Sequence, residues 1–549
     1  MSDQSSARPR VLVADPIAAE GVEILRGFAE VDERYGLGAD GLLAAIPAYD
    51  GLVVRSETKV TADAIAAAEK LRIIGRAGVG VDNIDVEAAT RRGVVVVNSP
   101  TGNIVAAAEH TIALLLAMAR RIPTANAAMR EGRWERSKFV GAEVRGKTLG
   151  IIGLGKVGSE VARRAGENGL GMRLIAHDPY ANPDNARKLN AELVSMDELL
   201  AESDFVTLHT VLTSSTRGLI GAEELAKMKP TARIINCARG GVVDETALLA
   251  ALKENRLAGA ALDVFSKEPP FSSPALQELI ADPRVVVTPH LGASTEEAQV
   301  SVAVDVAEQM RDVFQGEAPR AAVNAPLILP ETLRVLEPWM ELVEKLGRLC
   351  TQLRPAALKR AELSVAGELA QFDTRPLTTA LIKGLLEPIS EARVNLVNAQ
   401  VVAREWGMQV TESRSTAHEQ YASLVTVRVR SDGEGEETTL AGTITWGEPR
   451  IVRVDRFATD FTPRGHILLA RNLDRPGMIG KVGVILGEAG VNISHMDVGP
   501  VAVGMAPGRT RHPGGEALMA LSLDEAPPED AVERIRATDG IMDVRSVRI

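Results

Sequence analysis

Three polar side chains stand just past three apolar runs in the middle of the chain: Arg239 in NCARGGVVDE, Glu268 in DVFSKEPP and His290 in TPHLGAST. The runs Arg233 to Asn236, Gly259 to Val264 and Val285 to Thr288 read as strands. Residues past the carboxyl ends of parallel strands converge on one crevice. Such a trio suits proton transfer at a secondary alcohol next to an anionic group. Histidine titrates in the range needed to take a hydroxyl proton. A carboxylate at its side orients the ring and favours the imidazolium, while Arg239, flanked by glycines, could bind a carboxylate and polarise a carbonyl. Singly, the three read as a structural histidine, a loop acid and a helix-start cation.

A second constellation supplies what that chemistry lacks, an acceptor for hydride. Leu149 to Gly158, LGIIGLGKVG, is a buried-strand pattern followed by Gly153, Gly155 and Gly158 at G-x-G-x-x-G spacing and then a helical stretch. The glycines allow a tight turn, close approach to a pyrophosphate and close helix-on-strand packing, with the helix N-terminus facing the phosphates. Glycine turns are common, so the motif alone is weak. Asp178 follows the next strand, twenty residues past Gly158, where an acid would bind a ribose 2′-hydroxyl. It could also be a turn residue before Pro179. No arginine follows closely to meet a 2′-phosphate, so the pattern favours NAD over NADP.

The elements that must position these groups alternate regularly. Arg10 to Ala14, Gly51 to Arg55, Leu71 to Gly75 and Val94 to Asn98 read as strands, with helices at Ala18 to Phe28, Ala62 to Ala68 and Ile104 to Ala119. That is a parallel α/β sheet, and the same pattern recurs from Leu149 to Thr288 as a second, doubly wound sheet. Arg55 and Arg76 close two strands of the first sheet, where together they could hold a dianion. Taken one by one they read as solvated surface residues.

The 549 residues suffice for three or four domains. The net charge of −11 is spread along the chain and no basic stripe is interleaved with aromatics, so nucleic acid is excluded as an expected partner. Cys237 and Cys350 are far apart, outside any C-x-x-C spacing, which predicts two free thiols, no metal site and a cytoplasmic setting. The first ten residues lack a signal-peptide core, and Ile104 to Ala119 is too short to span a membrane.

With these residues in hand, the chain resembles the D-2-hydroxyacid dehydrogenase family over essentially its whole length. The resemblance rests on Gly153 to Gly158, Asp178 and the three long matches around Arg239, Glu268 and His290. It implies that these last three are catalytic and that Arg55, Ser56, Arg76 and Asn103 face the substrate. It further implies that Lys156, Val157, Thr210, Cys237, Ala238, Asp263, Gly292 and Ala293 line the NAD site with the glycines. Arg136, with Lys138, is the implied contribution to a phosphate from a neighbouring subunit of a dimer or tetramer. The implied fold is a discontinuous flavodoxin-like substrate domain, residues 1–100 plus 296–325, around a Rossmann NAD domain, residues 101–295. The implied activity is oxidation of 3-phosphoglycerate to 3-phosphohydroxypyruvate, the first step of serine biosynthesis. The competing readings are a dehydrogenase of another D-2-hydroxy acid and a non-catalytic NAD-sensing module.

Two further units follow. An amphipathic helix around Leu333 to Leu353 opens a mixed α/β region, residues 326–460, without a catalytic cluster; it is similar to the intervening domain of the family's long form. Residues 465–549 give the order βαββαβ, a ferredoxin-like layout. This unit looks like an ACT domain whose ligand motif falls on Asn472, Asp474 and Asn492, with serine as the implied effector. Asn472 stands where such domains often carry an aromatic or histidine. Gly499 to Gly515, rich in Gly and Pro, reads as a hairpin loop.

Overall fold

The structure, a computed structural model, describes residues 8–325, 330–353, 358–391, 393–417, 420–431, 437–501 and 514–549. The first sheet is parallel throughout, in the order Glu30–Glu33, Arg10–Val13, Gly51–Val54, Ile73–Arg76, Val95–Asn98. This is the flavodoxin-like order. The second sheet has seven parallel strands: Val285–Val287, Gly259–Leu262, Arg233–Asn236, Phe205–Leu208, Thr148–Ile152, Arg173–His177 and Ala191–Leu193. Helices cover both faces, so its central strands are buried on both sides and run almost unbroken in apolar residues.

The elements missing from the sequence reading are short or polar. Glu30–Glu33, sequence EVDE, is an edge strand with no apolar run to mark it. Val86–Arg91 and Met196–Glu202 span fewer than two turns each and are fixed by the caps of Asp85 and Ser195 rather than by periodicity.

After the second sheet the chain returns to the first. Helix Glu296–Gln315, capped by Thr295, shares a core with Val11, Val13, Val53, Ile73 and Val97 through Val306, Ala307 and Met310. It lies so close that a Cβ at Gly75 would meet Val306 Cγ1 at 2.5 Å. Beyond it, Val323 N–H donates to Val96 O (2.7 Å) and Asn324 Oδ1 accepts from Val96 N–H (2.8 Å). Two segments therefore cross between the sheets, one before helix Ile104–Ala119 and one before Glu296–Gln315.

The third unit is a six-stranded mixed sheet covered by helices Pro330–Leu353 and Arg375–Leu386. These touch backbone to backbone, since a Cβ at Gly384 would meet Glu344 O at 2.1 Å. The fourth unit has the antiparallel strand order Ile493–Pro500, Glu516–Leu523, His466–Leu473, Ile541–Arg548, with helices Met478–Glu488 and Glu529–Arg536. It is the ferredoxin-like arrangement read from the sequence. Strict alternation lets both faces of its sheet be buried: Leu468, Ala470, Met519 and Leu521 pack under its helices, while Ile467, Leu469, Leu518 and Ala520 join the core of the third unit. Of the hairpin expected at Gly499 to Gly515, residues 502–513, with His512, lie outside the described residues.

The two units approach closely at Gly499, where a Cβ would stand 1.6 Å from Ala458 O. A backbone carbonyl cannot move aside as a side-chain end can. Gly499→Ala should therefore cost about 1–3 kcal/mol, read as a lower thermal midpoint in calorimetry; an unchanged midpoint would show that the contact is not made in solution.

Candidate active site

The site lies between the two parallel sheets, at the carboxyl ends of their strands. Gly153 ends strand Thr148–Ile152 in the left-handed region (φ 93°), which a glycine adopts without strain. A Cβ at Gly158 would stand 2.1 Å from Gly153 O, so the helix Lys156–Ala165 can start only from glycine there. Gly155 faces open space. Asp178 Oδ2 accepts from Leu154 N–H at 2.8 Å, which fixes the carboxylate beside the glycine turn. Thr210 packs against Gly153, and its buried hydroxyl has no partner. An exposed helix start, an acid at the ribose position and an orphaned hydroxyl suit a dinucleotide.

Cys237 and Ala238 follow strand Arg233–Asn236 on the opposite wall. Burial pushes the Cys237 thiol up to about 12, so it is no thiolate at neutral pH. Asn236 holds the turn, accepting Ala238 N–H (3.0 Å) and donating to Arg239 O (3.0 Å). Arg239 then reaches across the cleft: its Nε lies 3.3 Å from Asp82 Oδ2, in the loop after strand Ile73–Arg76. Gly80 leaves room for it, because a Cβ there would meet Arg239 Nη2.

His290 Nδ1 lies 2.9 Å from Glu268 Oε2, and Glu268 Oε1 accepts Phe265 N–H at 3.1 Å. Burial works to raise the Glu268 carboxyl, but the bonds from His290 and the Phe265 amide outweigh it and lower it below the usual range. His290 has φ 55°, unusual for a residue with a Cβ. It is held there by Asp263. The Asp263 carbonyl accepts His290 N–H (2.9 Å), and its carboxylate accepts Leu291 N–H (2.7 Å) and Gly292 N–H (2.8 Å). Ala293 continues the same loop.

On the first-sheet side, Arg76 is largely buried, with Nε lacking a partner. Burial and then the neighbouring Arg239 lower its guanidinium to about 10. Arg55 adds to that repulsion. Its loop is pinned by Asp15, which accepts Arg55 N–H (2.6 Å), and by Asn83, which donates to Arg55 O (2.8 Å). Ser56 is exposed beside it. Asn103 starts helix Ile104–Ala119 and its side chain makes no capping hydrogen bond.

One expected grouping is not assembled within one chain, and Arg136, expected to act from a neighbouring subunit, stands apart from the other arginines of its own chain. Arg136 sits past the C-terminal end of helix Ile104–Ala119, where Arg121 Nη1 bonds Lys138 O (3.2 Å). That is about 24 Å of helix from Asn103, so Arg136 is outside the crevice of its own chain. Asn492 is separated from Asn472 and Asp474. Those two line a cavity of about 410 Å³ with Pro476, Met478, Ile479 and Val498, whereas Asn492 Nδ2 bonds Asp524 Oδ2 at 2.7 Å. The register explains it: Asn472 pairs beside Ala517, and Asn492 precedes Ile493, which pairs with Leu523 at the other end of that strand. Sequence reasoning missed Asp15, Asp82, Asn83 and His110, each a polar residue without a recognisable motif.

The match to known proteins is extensive. Residues 112–292 match the family model of the D-isomer specific 2-hydroxyacid dehydrogenase NAD binding domain, 335–455 that of the D-3-phosphoglycerate dehydrogenase intervening domain, and 466–540 that of the ACT domain. The chain is 45% identical over 548 residues to a D-3-phosphoglycerate dehydrogenase of Synechocystis, covering 100% of this chain and 96% of that one. It is 44% identical to one of Archaeoglobus fulgidus, covering 98% of this chain and 100% of that one. The chain belongs to the D-isomer-specific 2-hydroxyacid dehydrogenase family. It is an NAD-dependent oxidoreductase of that family. Among solved structures, D-lactate dehydrogenase from Aquifex aeolicus, complexed with NAD and lactic acid, is 25% identical with a TM-score of 0.53, covering 58% of this chain and 99% of that one. A glyoxylate reductase from Paecilomyes thermophila is 32% identical with a TM-score of 0.53, covering 58% and 98%. The other 2-hydroxyacid dehydrogenase folds thus account for the first two sheets, and the last two units are additions.

One site residue makes stability depend on pH. Burial lowers His209, behind Gly153, from 6.5 to about 4. Between those values the unfolded chain binds a proton that the folded one refuses, so stability falls as pH drops from about 6.5 to about 4. His209→Asn should flatten that part of the melting-temperature profile by on the order of 1–3 kcal/mol; an unaltered slope would mean that the ring is solvated.

Proposed function

We propose that this enzyme oxidises D-3-phosphoglycerate to 3-phosphohydroxypyruvate with NAD, the first step of serine biosynthesis, in the cytoplasm. Bound NAD supplies the hydride acceptor, held by Gly153, Gly155, Gly158, Lys156, Val157, Asp178 and Thr210, with Cys237, Ala238, Gly292 and Ala293 on the facing wall and buried Asp263 beneath it. His290 takes the hydroxyl proton at Nε2, because Glu268 occupies Nδ1. Arg239 binds the substrate carboxylate and polarises the carbonyl as it forms. Asn103 donates to the same end of the substrate.

The observation that carries the choice of substrate is the crowding of Arg76 against Arg239 and Arg55, with a buried Nε left unbonded. A doubly charged phosphate relieves that repulsion, and an unphosphorylated glycerate or lactate leaves part of it in place. Arg136 acts from a second copy in a dimer or tetramer. Exposed Ile122, Met129, Trp134 and Val140 around it are the apolar surface such an interface covers. In a panel of D-2-hydroxy acids with NAD, 3-phosphoglycerate should be turned over best, and Arg76→Ala should raise its KM more than that of glycerate. Activity on glycerate or lactate alone sinks the assignment. His290→Ala should lower kcat about 10²- to 10⁴-fold; retained turnover removes it as the acid–base group, and no turnover of any acid by the parent supports the NAD-sensing reading.

The ACT unit binds an amino acid between Asn472 and Asp474. Asn472 is almost fully buried, and its Oδ1 has no donor, which leaves it to accept from an ammonium group. Asn492, at the opposite end of the sheet, joins the site only when two copies pair along their edges. Serine is the expected inhibitor, with coupling of about 1–3 kcal/mol. Asp474→Ala should abolish inhibition and leave the uninhibited rate intact. Calorimetric titration across millimolar serine giving no heat in the parent counts against serine; heat only with a larger, apolar amino acid would reassign the effector.

A further inference from the structure

Helix Ile104–Ala119 buries Ala108, Thr111, Leu114, Leu115 and Met118, and among these inward positions stands His110, its side chain 19% exposed. A histidine has no helix-forming advantage over leucine in such a helix, and ring nitrogens withdrawn from water are costly unless bonded. His110 Nε2 is bonded. It lies 3.2 Å from Asp263 Oδ1 and 3.1 Å from Thr288 Oγ1.

Asp263 is completely buried. Burial works to raise its carboxyl, and the bonds from His110, Thr288 and the Leu291 amide outweigh this and lower it below the usual range. Among the described ion pairs it has no arginine or lysine. Its donors divide into two kinds. Thr288 Oγ1 (2.5 Å), Leu291 N–H and Gly292 N–H all belong to the segment that carries His290. His110 alone among these side-chain and backbone donors comes from outside that segment, on a rigid sixteen-residue helix.

The bonding also fixes the ring. Thr288 gives its one hydroxyl hydrogen to Asp263, so it accepts from His110, and Asp263 can only accept. Both contacts require hydrogen on Nε2. The other tautomer turns a nitrogen lone pair against a buried carboxylate.

We propose that His110 is a positioning residue for the reaction: by donating through Nε2–H it fixes the Asp263 carboxylate, which in turn holds His290 in its left-handed turn opposite Glu268. The proposal rests on His290 being the acid–base group. Leucine at 110 fills the space without a donor, whereas glutamine reaches with an amide N–H to about the same place.

The experiment compares His110→Leu, His110→Gln and His290→Ala in the full-length enzyme with the best hydroxy acid of the panel, alongside thermal melts and NADH titration by fluorescence. Loss of a donor to a buried charge corresponds to about a 10- to 100-fold fall in rate. The expected result is that fall in kcat for His110→Leu, an unchanged KM for the hydroxy acid, and recovery to within a few-fold in His110→Gln. Equal kcat for the leucine variant and the parent overturns the proposal, as do equal losses in the leucine and glutamine variants or a change confined to KM. Should the leucine variant fail to fold, His110→Asn, whose amide is too short to reach Asp263, replaces it in the comparison with glutamine. If His290→Ala keeps its turnover, the reading of the site fails instead, whatever the His110 variants do.

Discussion

A buried negative charge organises the wall that carries His290 and Glu268. The Asp263 carboxylate has no access to water, and a charge in that position persists only when donors surround it. Here they come from the long helix, from the end of strand Val285–Val287 and from two successive loop amides. The left-handed backbone of His290 costs roughly 1–2 kcal/mol. Each hydrogen bond to a charged group contributes about 1.5–3 kcal/mol, so the bonds to Asp263 outweigh the strain. Because Phe265 lies two residues beyond Asp263, the same strand end that sets His290 also presents the amide that orients Glu268. The imidazole and its carboxylate partner are thereby placed by one short stretch of chain.

The facing wall has the opposite imbalance. Arg76, Arg239 and Arg55 are gathered where Asp82, itself well exposed, and then Asp15 offset only part of their charge. At an effective dielectric near 20, two unit charges 4 Å apart interact by about 4 kcal/mol. Cations gathered without full compensation create a demand for an anion, and Asp15 and Asn83 already fix the backbone of Arg55. The two walls belong to different sheets joined by two crossings, so an anion that binds both Arg76 and Arg239 also draws the walls together.

Much of this was legible in the chain. The glycine turn, Asp178, the three strand-end residues and the βαββαβ order each depend on spacing within a short segment, and local spacing is what a sequence displays. Long-range pairing is not displayed. His110 and Asp263 are 153 positions apart, and the histidine reads as an interruption in an apolar helix. Asn492 was grouped with Asn472 because both sit in ligand-like motifs, but sheet register put them beside opposite ends of strand Glu516–Leu523. Arg136, expected to act from a neighbouring subunit, stands a helix length from the other arginines of its own chain. In each case the deciding quantity was a distance along an element rather than a residue type.

Register also decides how a ligand on the last unit can reach the cleft. The ferredoxin-like sheet has no free face, since its outer side is committed to the third unit, and the backbone contact at Gly499 leaves little room for sliding. The two units are therefore packed as one body. Their hydrogen bonds to the first sheet's domain include Asn395 Nδ2 to Gly93 O (2.7 Å) and Asn398 Nδ2 to Arg91 O (3.3 Å). Those acceptors end helix Val86–Arg91, whose other end follows directly on Asp82 and Asn83. Asp82 pairs with Arg239, and Asn83 supports Arg55. A short, capped helix thus meets the third unit at one end and leads from the partners of Arg239 and Arg55 at the other. Under the proposed inhibition, a shift of that helix would move the partners of Arg239 and Arg55 together, the kind of differential contact that coupling between two sites requires.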